Sequence, residues 1–162
     1  MPVSPSSAPA VPSPRQIVER QLQTIAARDW PAMAALYAED AVVQLPFNRP
    51  APLRIEGRRQ LEQRNASARD LPLELSPQHL VIHETTDPEV VVAEFDYLGR
   101  VTTTGRTFRV SNIIVFRVRD GQIVESRDYH DHATLGEVLG DALPHALTTP
   151  ADTQQSVHRR HV

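Results

Sequence analysis

The chain has 162 residues, 40% of them hydrophobic, which suffices for one domain with a buried core but not for two of ordinary size. Its formal net charge is −3 and all 17 basic residues are arginine, which disfavours a nucleic-acid partner and excludes lysine Schiff-base and P-loop chemistry. The absence of cysteine excludes disulfides, thiolate catalysis and cysteine-ligated zinc, and no apolar run approaches transmembrane length. We therefore expect a cytoplasmic protein with no membrane partner.

Helical patterns dominate the first half of the chain. The first residues are rich in proline, serine and alanine, which predicts a disordered leader. Ser13 and Pro14 are typical of an N-cap and a first helical position, and Asp29 is expected to cap a second helix. The elements predicted here are, in order, a leader over 1–13, a helix over 14–27, a helix over 30–40, a strand over 41–47 and a helix over 57–70.

Strand patterns dominate the second half. Turn signals "TDP", "TGR" and "RDG" separate strand-like runs, and a flexible tail is expected over residues 144–162. Helices followed by an antiparallel meander are typical of an α+β fold, and a curved sheet around helices leaves a cavity suited to a ligand. The predicted strands cover residues 73–84, 89–99, 100–104, 107–120 and 121–130.

Three segments carry a family resemblance: "AARDWPAMAALYAEDAVVQLPF", "IEGRRQLEQ" and "FRVRDGQIVESRDYHDHATLGEVLG". They resemble the SnoaL-like branch of the nuclear transport factor 2-like superfamily, in a domain over residues 14–143. The resemblance implies a cone of three N-terminal helices packed in a strongly curved, mixed but mostly antiparallel sheet. It also implies a cofactor-independent activity or a pure binding role, because the superfamily includes isomerases, cyclases, epoxide hydrolases and binding modules.

The ketosteroid isomerases of this superfamily need a carboxylate base and an oxyanion hole of tyrosine and protonated aspartate. Alignment on "YAEDA" and "RDGQI" places the tyrosine position at Gln21, the base at Leu45 and the protonated aspartate at Ile114. None of these side chains can do that chemistry. Steroid isomerisation by that mechanism is therefore rejected.

The limonene-type epoxide hydrolases resemble the chain in "SRDYHD", where their catalytic aspartate corresponds to Asp131. Their arginine and aspartate on an earlier strand correspond to Glu94 and Asp96, and their water-holding tyrosine and asparagine to Val42 and Gln44. The water-activating set is therefore incomplete.

The phenazine-biosynthesis A/B proteins share "ETxDP", present here as "ETTDP". Their acid/base glutamate corresponds to Asp128, and their pocket histidine to Gln78, beside His79. SnoaL-type cyclases place an aspartate base near the same strand end, which either Asp128 or Asp131 could supply.

The last predicted strand ends in "ESRDYHDH", an unusually polar run. Strand alternation puts Ser126, Asp128 and His130 on one face, and the family resemblance implies that this face lines the cavity. By the same resemblance Asn112 also points inward, and Glu94 and Asp96 do so if their strand keeps the hydrolase phase.

Structural alternatives stand beside these roles. Asp128 could simply pair with an arginine, His130 could cap the sheet edge, and His79 could be a surface residue. Tyr37 fits helix packing as well as a cavity mouth. The "HDH" run with His145 could suggest a metal site, but fortuitous spacing is favoured and no metal is predicted.

The predicted site has two sets of residues. The catalytic candidates are Asp128, His130 and Asp131, and the substrate-binding candidates are Glu94, Asp96, Asn112, Ser126, His79 and Tyr37. The predicted partner is a small apolar or polyketide-like molecule, acted on without a cofactor. The alternative is a non-catalytic ligand-binding or accessory module of a biosynthetic pathway.

An apolar outer sheet face is also expected, with Ala93, Phe95, Val101, Ile113 and Val115 on it. Such a patch is larger than monomers usually expose, so a homodimer through this face is predicted.

Overall fold

The computed structural model describes residues 10–140. Most of the predicted leader and all of the predicted tail lie outside these residues. Among the described residues, no helix combines the length and the apolar character needed to cross a membrane. The elements, in chain order, are α1 (Pro14–Ala26), α2 (Trp30–Ala35), β1 (Tyr37–Leu45), β2 (Leu53–Glu56), α3 (Arg58–Arg69), β3 (Leu73–Glu84), β4 (Val90–Val101), β5 (Thr107–Arg119), β6 (Gln122–His130) and α4 (His132–Leu139).

The first two helices begin where the capping signals predict. The Ser13 hydroxyl accepts a hydrogen bond from the Gln16 backbone N–H, and the Gln16 side chain accepts one from the Ser13 N–H, which completes a capping box. Asp29 caps α2 by accepting from Ala32 N–H at 3.0 Å. The prediction that α2 continues to residue 40 was wrong, because Tyr37 instead pairs with Ile123 of the last strand and starts β1.

The six strands form one mixed sheet in the order β2-β1-β6-β5-β4-β3, in which only the β1–β6 pair is parallel. The predicted α+β class is confirmed. Strand β2 was missed, since four residues among prolines gave no pattern of their own, and it forms by pairing with β1. The separate strand predicted over 100–104 was also wrong: β4 runs on to Val101, and a turn follows.

The pairing of β4 with β5 decides which residues face inward. Asn112 lies opposite Phe95, and directly opposed residues share a sheet face. The buried face of β4 therefore carries Ala93 and Phe95, whereas Glu94 and Asp96 point to the outer face. The prediction that Glu94 and Asp96 face the cavity was wrong, because it took the phase of β4 from the epoxide-hydrolase resemblance. The strand's own alternation puts Ala93, Phe95 and Tyr97 on the buried side and the two acids on the other.

The predicted outer patch needs the same correction. Ala93, Phe95 and Val101 are buried, whereas Ile113 is 43% exposed and Val115 is partly exposed. The outer face is consequently less apolar than expected. The core proper lies on the inner face, where α1, α2 and α3 pack against the sheet.

Candidate functional site

A cavity of about 790 Å³ lies on the inner face of the sheet. Side chains from α1, α2, α3, α4 and five strands line it, so it is enclosed by both layers of the fold. Much of its wall is apolar, including Ile25, Met33, Val43, Leu45, Ile55, Leu61 and Ile114. Its polar wall consists of Gln21, Tyr37, Asn48, Arg49, Arg64, Asn65, Tyr97, Asp128, His130 and His132.

The inward row of β6 supplies the acid/base groups of this wall. Ser126 is fully buried, Asp128 is 9% exposed, and both Asp128 and His130 line the cavity. His130 Nε2 lies 3.8 Å from Asp128 Oδ2. The predicted inward direction of this row is confirmed, and its catalytic role stays a prediction.

Asn112 fixes the orientation of the His130 ring. The Asn112 amide Nδ2 donates to the Val110 carbonyl at 2.9 Å and lies 3.5 Å from the Phe95 carbonyl, so its Oδ1 is left to accept. His130 Nδ1 is 2.7 Å from that Oδ1 and must therefore carry a proton. In neutral His130 the lone pair is then on Nε2, on the side of Asp128. Asn112 points inward as predicted, but its amide oxygen is hydrogen-bonded to His130 and orients that ring.

Burial shifts the two titratable groups in opposite directions. It raises the pKa of Asp128 to about 6, although the nearby Ser126 hydroxyl and the Arg64 guanidinium counteract part of the shift. It lowers the pKa of His130 to about 4, with the neighbouring charges of His132 and Arg64 acting in the same direction. At neutral pH, Asp128 is thus mostly ionised beside a neutral imidazole.

Tyr37 belongs to the cavity wall rather than to its mouth. It is 2% exposed, and its hydroxyl accepts a hydrogen bond from Gln21 Nε2 at 2.7 Å. Burial and the charge of Asp128 raise the pKa of the Tyr37 hydroxyl, so it stays protonated and can donate. Gln21 and Tyr37 together supply a neutral polar patch on the wall.

Asp131 has a structural role that its position in the sequence did not reveal. Its carboxylate accepts from the Thr134 N–H at 3.0 Å and from the Thr134 hydroxyl, which makes it the N-cap of α4. These hydrogen bonds lower the pKa of Asp131. Asp131 is exposed and does not line the cavity, so the prediction that it belongs with Asp128 was wrong.

The three remaining candidates lie on the outer face. Asp96 accepts from Arg109 Nη2 at 2.6 Å and from Ser111 Oγ at 2.7 Å, and it lies 2.9 Å from His79 Nδ1. These three contacts lower the pKa of Asp96 far below its usual range. Glu94 pairs with His83 at 2.6 Å.

His79 reaches the outer face through an irregularity in β3. The register with β4 shifts between Gln78 and Val81, and His79 has a positive φ of 56°. Glu94, Asp96 and His79 line a second pocket of about 570 Å³, which Asn112, His130 and Asp131 also border. None of the three lines the cavity that contains Asp128, contrary to the predicted substrate-binding set.

Several cavity residues were missed from the sequence, above all Arg64 and Asn65 of α3 and His132 of α4. Leu61 is the one large apolar side chain of α3 and marks its inward face. Residues three and four positions later share that face, so this spacing could have identified Arg64 and Asn65.

A metal site built on His130 and His132 gains no further ligand in residues 10–140, where no group of three or more His, Cys, Asp or Glu side chains could hold an ion. His145 lies outside the described residues.

Comparison with known proteins places these features in a family. The family model described as the SnoaL-like domain matches residues 18–126. The chain is 31% identical to YesE of Bacillus subtilis over 117 residues, covering 70% of this chain and 78% of YesE. It is 30% identical to a PhzA/B-like protein of Pseudomonas aeruginosa over 129 residues, covering 75% and 84% of the two chains.

A solved structure from Bacillus subtilis, described as a candidate isomerase, is similar in both sequence and fold. It shares 29% identity and a TM-score of 0.69 over 78% of this chain and 91% of its own. The chain therefore belongs to the SnoaL-like domain family.

Proposed function

We propose that this protein is a cofactor-independent acid/base enzyme that moves a proton on a small apolar or polyketide-like compound. The observation that carries the proposal is the pair formed by Asp128 and His130, with 3.8 Å between Oδ2 and Nε2 in the wall of the cavity. A buried carboxyl with a pKa of about 6 can both take and return a proton near neutral pH.

Asp128 and His130 have different roles in the proposed proton transfer. Ionised Asp128 takes a proton from the substrate and becomes a neutral carboxylic acid. His130 Nε2 then accepts a hydrogen bond from that acid once the gap between them closes slightly, which holds the proton for its return. Asn112 keeps the Nε2 lone pair available, because its Oδ1 is bound to the proton on Nδ1.

The lining of the cavity suits a molecule that is mostly apolar. Gln21, Leu45 and Ile114, which stand where ketosteroid isomerases have their reacting groups, all line this cavity and are all non-ionisable. By the family resemblance this cavity corresponds to the active site of the ketosteroid isomerases, but its acid/base pair lies on β6. The candidate isomerase and the PhzA/B-like relative support a small-molecule role of this kind. A cytoplasmic location stays a prediction from the lack of cysteine.

The test begins with the compound that the protein itself retains. Small molecules released by denaturing the purified chain are identified by mass spectrometry, and each is returned to the protein in D₂O. Proton transfer then appears as deuterium uptake or as conversion of the compound. We expect uptake with the wild type and a loss of at least about a hundredfold in Asp128→Asn.

Asp131→Asn is the matched control, since it makes the same chemical change three positions away and asparagine still caps a helix. It should exchange like the wild type. Undiminished exchange in Asp128→Asn would disprove the role of Asp128. A retained compound that the wild type neither exchanges nor converts would instead identify a ligand-binding module.

A further inference from the structure

The inward face of α3 adds a second polar group to the cavity, separate from the Asp128–His130 pair. Leu61, Arg64 and Asn65 all line the cavity at helical spacing. Leu61 contributes apolar surface, whereas Arg64 and Asn65 contribute hydrogen-bond donors next to each other in the chain. A helix wall with a guanidinium and a carboxamide is suited to holding an oxygen atom of a ligand.

The side-chain amide of Asn65 has a hydrogen-bond donor that no described residue accepts from. Asn65 is 7% exposed, and its buried Nδ2 atom has no hydrogen-bond partner among the described residues. Buried amide groups in proteins are nearly always hydrogen-bonded, so each exception calls for a partner. A ligand oxygen in the cavity would satisfy this group, and the Asn65 side chain could not be satisfied by a purely apolar compound.

Arg64 brings a positive charge to the same end of the cavity as the acid/base pair. It is close enough to lower the pKa of Asp128, of His130 and of His132. An anion formed beside Asp128 would therefore lie in the field of this guanidinium. The low polarity of the surrounding wall makes such an interaction stronger than it is in water.

We propose that Arg64 and Asn65 form an oxyanion site, and that the substrate is a carbonyl compound with an acidic C–H next to its carbonyl group. This inference rests on the proposed function. Asp128 takes the proton from that carbon, the C–H electron pair forms the C=C bond, and the carbonyl π pair moves to oxygen. The resulting enolate oxygen accepts hydrogen bonds from Arg64 and Asn65, and the proton on Asp128 returns to carbon at the end of the reaction.

The arrangement fits the electrostatics of such a step. The negative charge leaves Asp128 when it takes the proton and reappears on the substrate oxygen. Donors fixed on a helix stabilise that charge without having to reorient, which is the usual source of oxyanion stabilisation. When the negative charge moves from Asp128 to the substrate oxygen, the unfavourable free energy of an ionised carboxylate in the buried wall is also removed.

The test uses 4-nitrophenol, whose ionised form mimics an enolate and absorbs visible light. The protein carries Asp128→Asn, because the amide imitates the neutral Asp128 that coexists with the enolate. We expect this protein to bind 4-nitrophenolate about tenfold more tightly than neutral 4-nitrophenol, which lowers the pH at which the bound probe ionises by about one unit. Adding Arg64→Met or Asn65→Leu should remove most of that preference.

Arg59→Met is the matched control, since Arg59 is an exposed arginine on the same helix, and it should leave the preference unchanged. Asn65→Leu keeps the size of the side chain, so it provides the test even if Arg64→Met does not fold. Equal binding of the two probe forms, no binding of the probe, or an unchanged preference in the Asn65→Leu protein would overturn the oxyanion site.

The two proposals fail separately. If the α3 variants keep the phenolate preference while Asp128→Asn abolishes deuterium exchange, the oxyanion site is wrong and the proton-transfer role of Asp128 stands. If the α3 variants lose the preference while Asp128→Asn exchanges like the wild type, the oxyanion site stands and another group is the base.

Discussion

Burial acts with opposite sign on Asp128 and His130 because one is charged when it loses a proton and the other when it gains one. The same wall therefore raises the pKa of Asp128 and lowers that of His130. Between about pH 4 and pH 6 both groups are mainly neutral, and above that window only Asp128 carries a charge. The Asp128–His130 pair thus holds one ionised group near neutral pH.

This pattern predicts how stability depends on pH. The folded-state pKa of Asp128 is about 6 against an ordinary value of 3.8, so its ionisation destabilises the fold progressively as pH rises through that window. His130 does the reverse, since its folded-state pKa of about 4 lies below 6.5 and stability is gained as pH rises. The two contributions largely cancel in the wild type.

Asp128→Asn should uncover the His130 contribution. The free energy of unfolding of this variant, relative to the wild type, should increase from pH 4 to pH 7 by up to about 3 kcal/mol, as measured by urea denaturation. Asp131→Asn is the control. The pKa of Asp131 is lowered, so any pH dependence that its ionisation gives to the free energy of unfolding falls below pH 4. A difference for Asp128→Asn that stays constant with pH would contradict the raised pKa.

At the scale of elements, a bulge in β6 makes the site possible. Arg117 pairs with Glu125, but the next residue of β5, Val118, pairs with Ile123, so Val124 is an extra residue in β6. The bulge reverses the alternation: Ile123 is buried in the core before it, and the polar row from Ser126 is inward after it. Without the extra residue, one of these two sets would face solvent.

The end of β6 depends on a cap. Asp131 terminates the strand and starts α4, whose residues Leu135 and Gly136 contribute to the cavity wall. Asp131→Ala removes the acceptor for the Thr134 N–H and should lower the free energy of unfolding by about 1 kcal/mol. Urea denaturation measures the loss, and Asp131→Asn should show little of it. Equal stability of Asp131→Ala and the wild type would show that the cap contributes nothing.

The capping residues predicted where α1 and α2 begin, and strand alternation together with the family resemblance predicted the polar row of β6. The prediction failed at β4, where the phase was taken from the hydrolase resemblance although Ala93, Phe95 and Tyr97 alternate with Glu94 and Asp96. It also failed at Val124, since a one-residue bulge depends on partners distant in the chain. Arg64 and Asn65 could have been predicted to line the cavity, because they lie three and four positions after Leu61, which marks the inward face of α3.

At the scale of the whole molecule, we propose a homodimer through the outer sheet face. Leu98 and Ile113 are each 43% exposed there and Val81 is 49% exposed, although the patch is smaller than the sequence predicted. Pairing two such faces about a two-fold axis would bury these groups and leave the cavities, on the opposite side of each sheet, outside the interface.

Val115→Arg tests this assembly by placing a charge on the outer face. It should convert the dimer to a monomer of lower stability, as measured by light scattering and thermal unfolding. Thr103→Arg, in an exposed turn, adds the same side chain away from the face and should remain dimeric. A wild-type mass equal to one chain at micromolar concentration would rule out the dimer.

The proposed chemistry depends above all on Asp128 changing its protonation near neutral pH. Carboxyl carbon chemical shifts followed by NMR against pH report this directly, with the Asp128 signal assigned by its absence in Asp128→Asn. The signal should titrate with a midpoint of about 6. A midpoint near the ordinary aspartate value of 3.8 would leave Asp128 permanently ionised at neutral pH and would contradict its role as the group that takes and returns the proton.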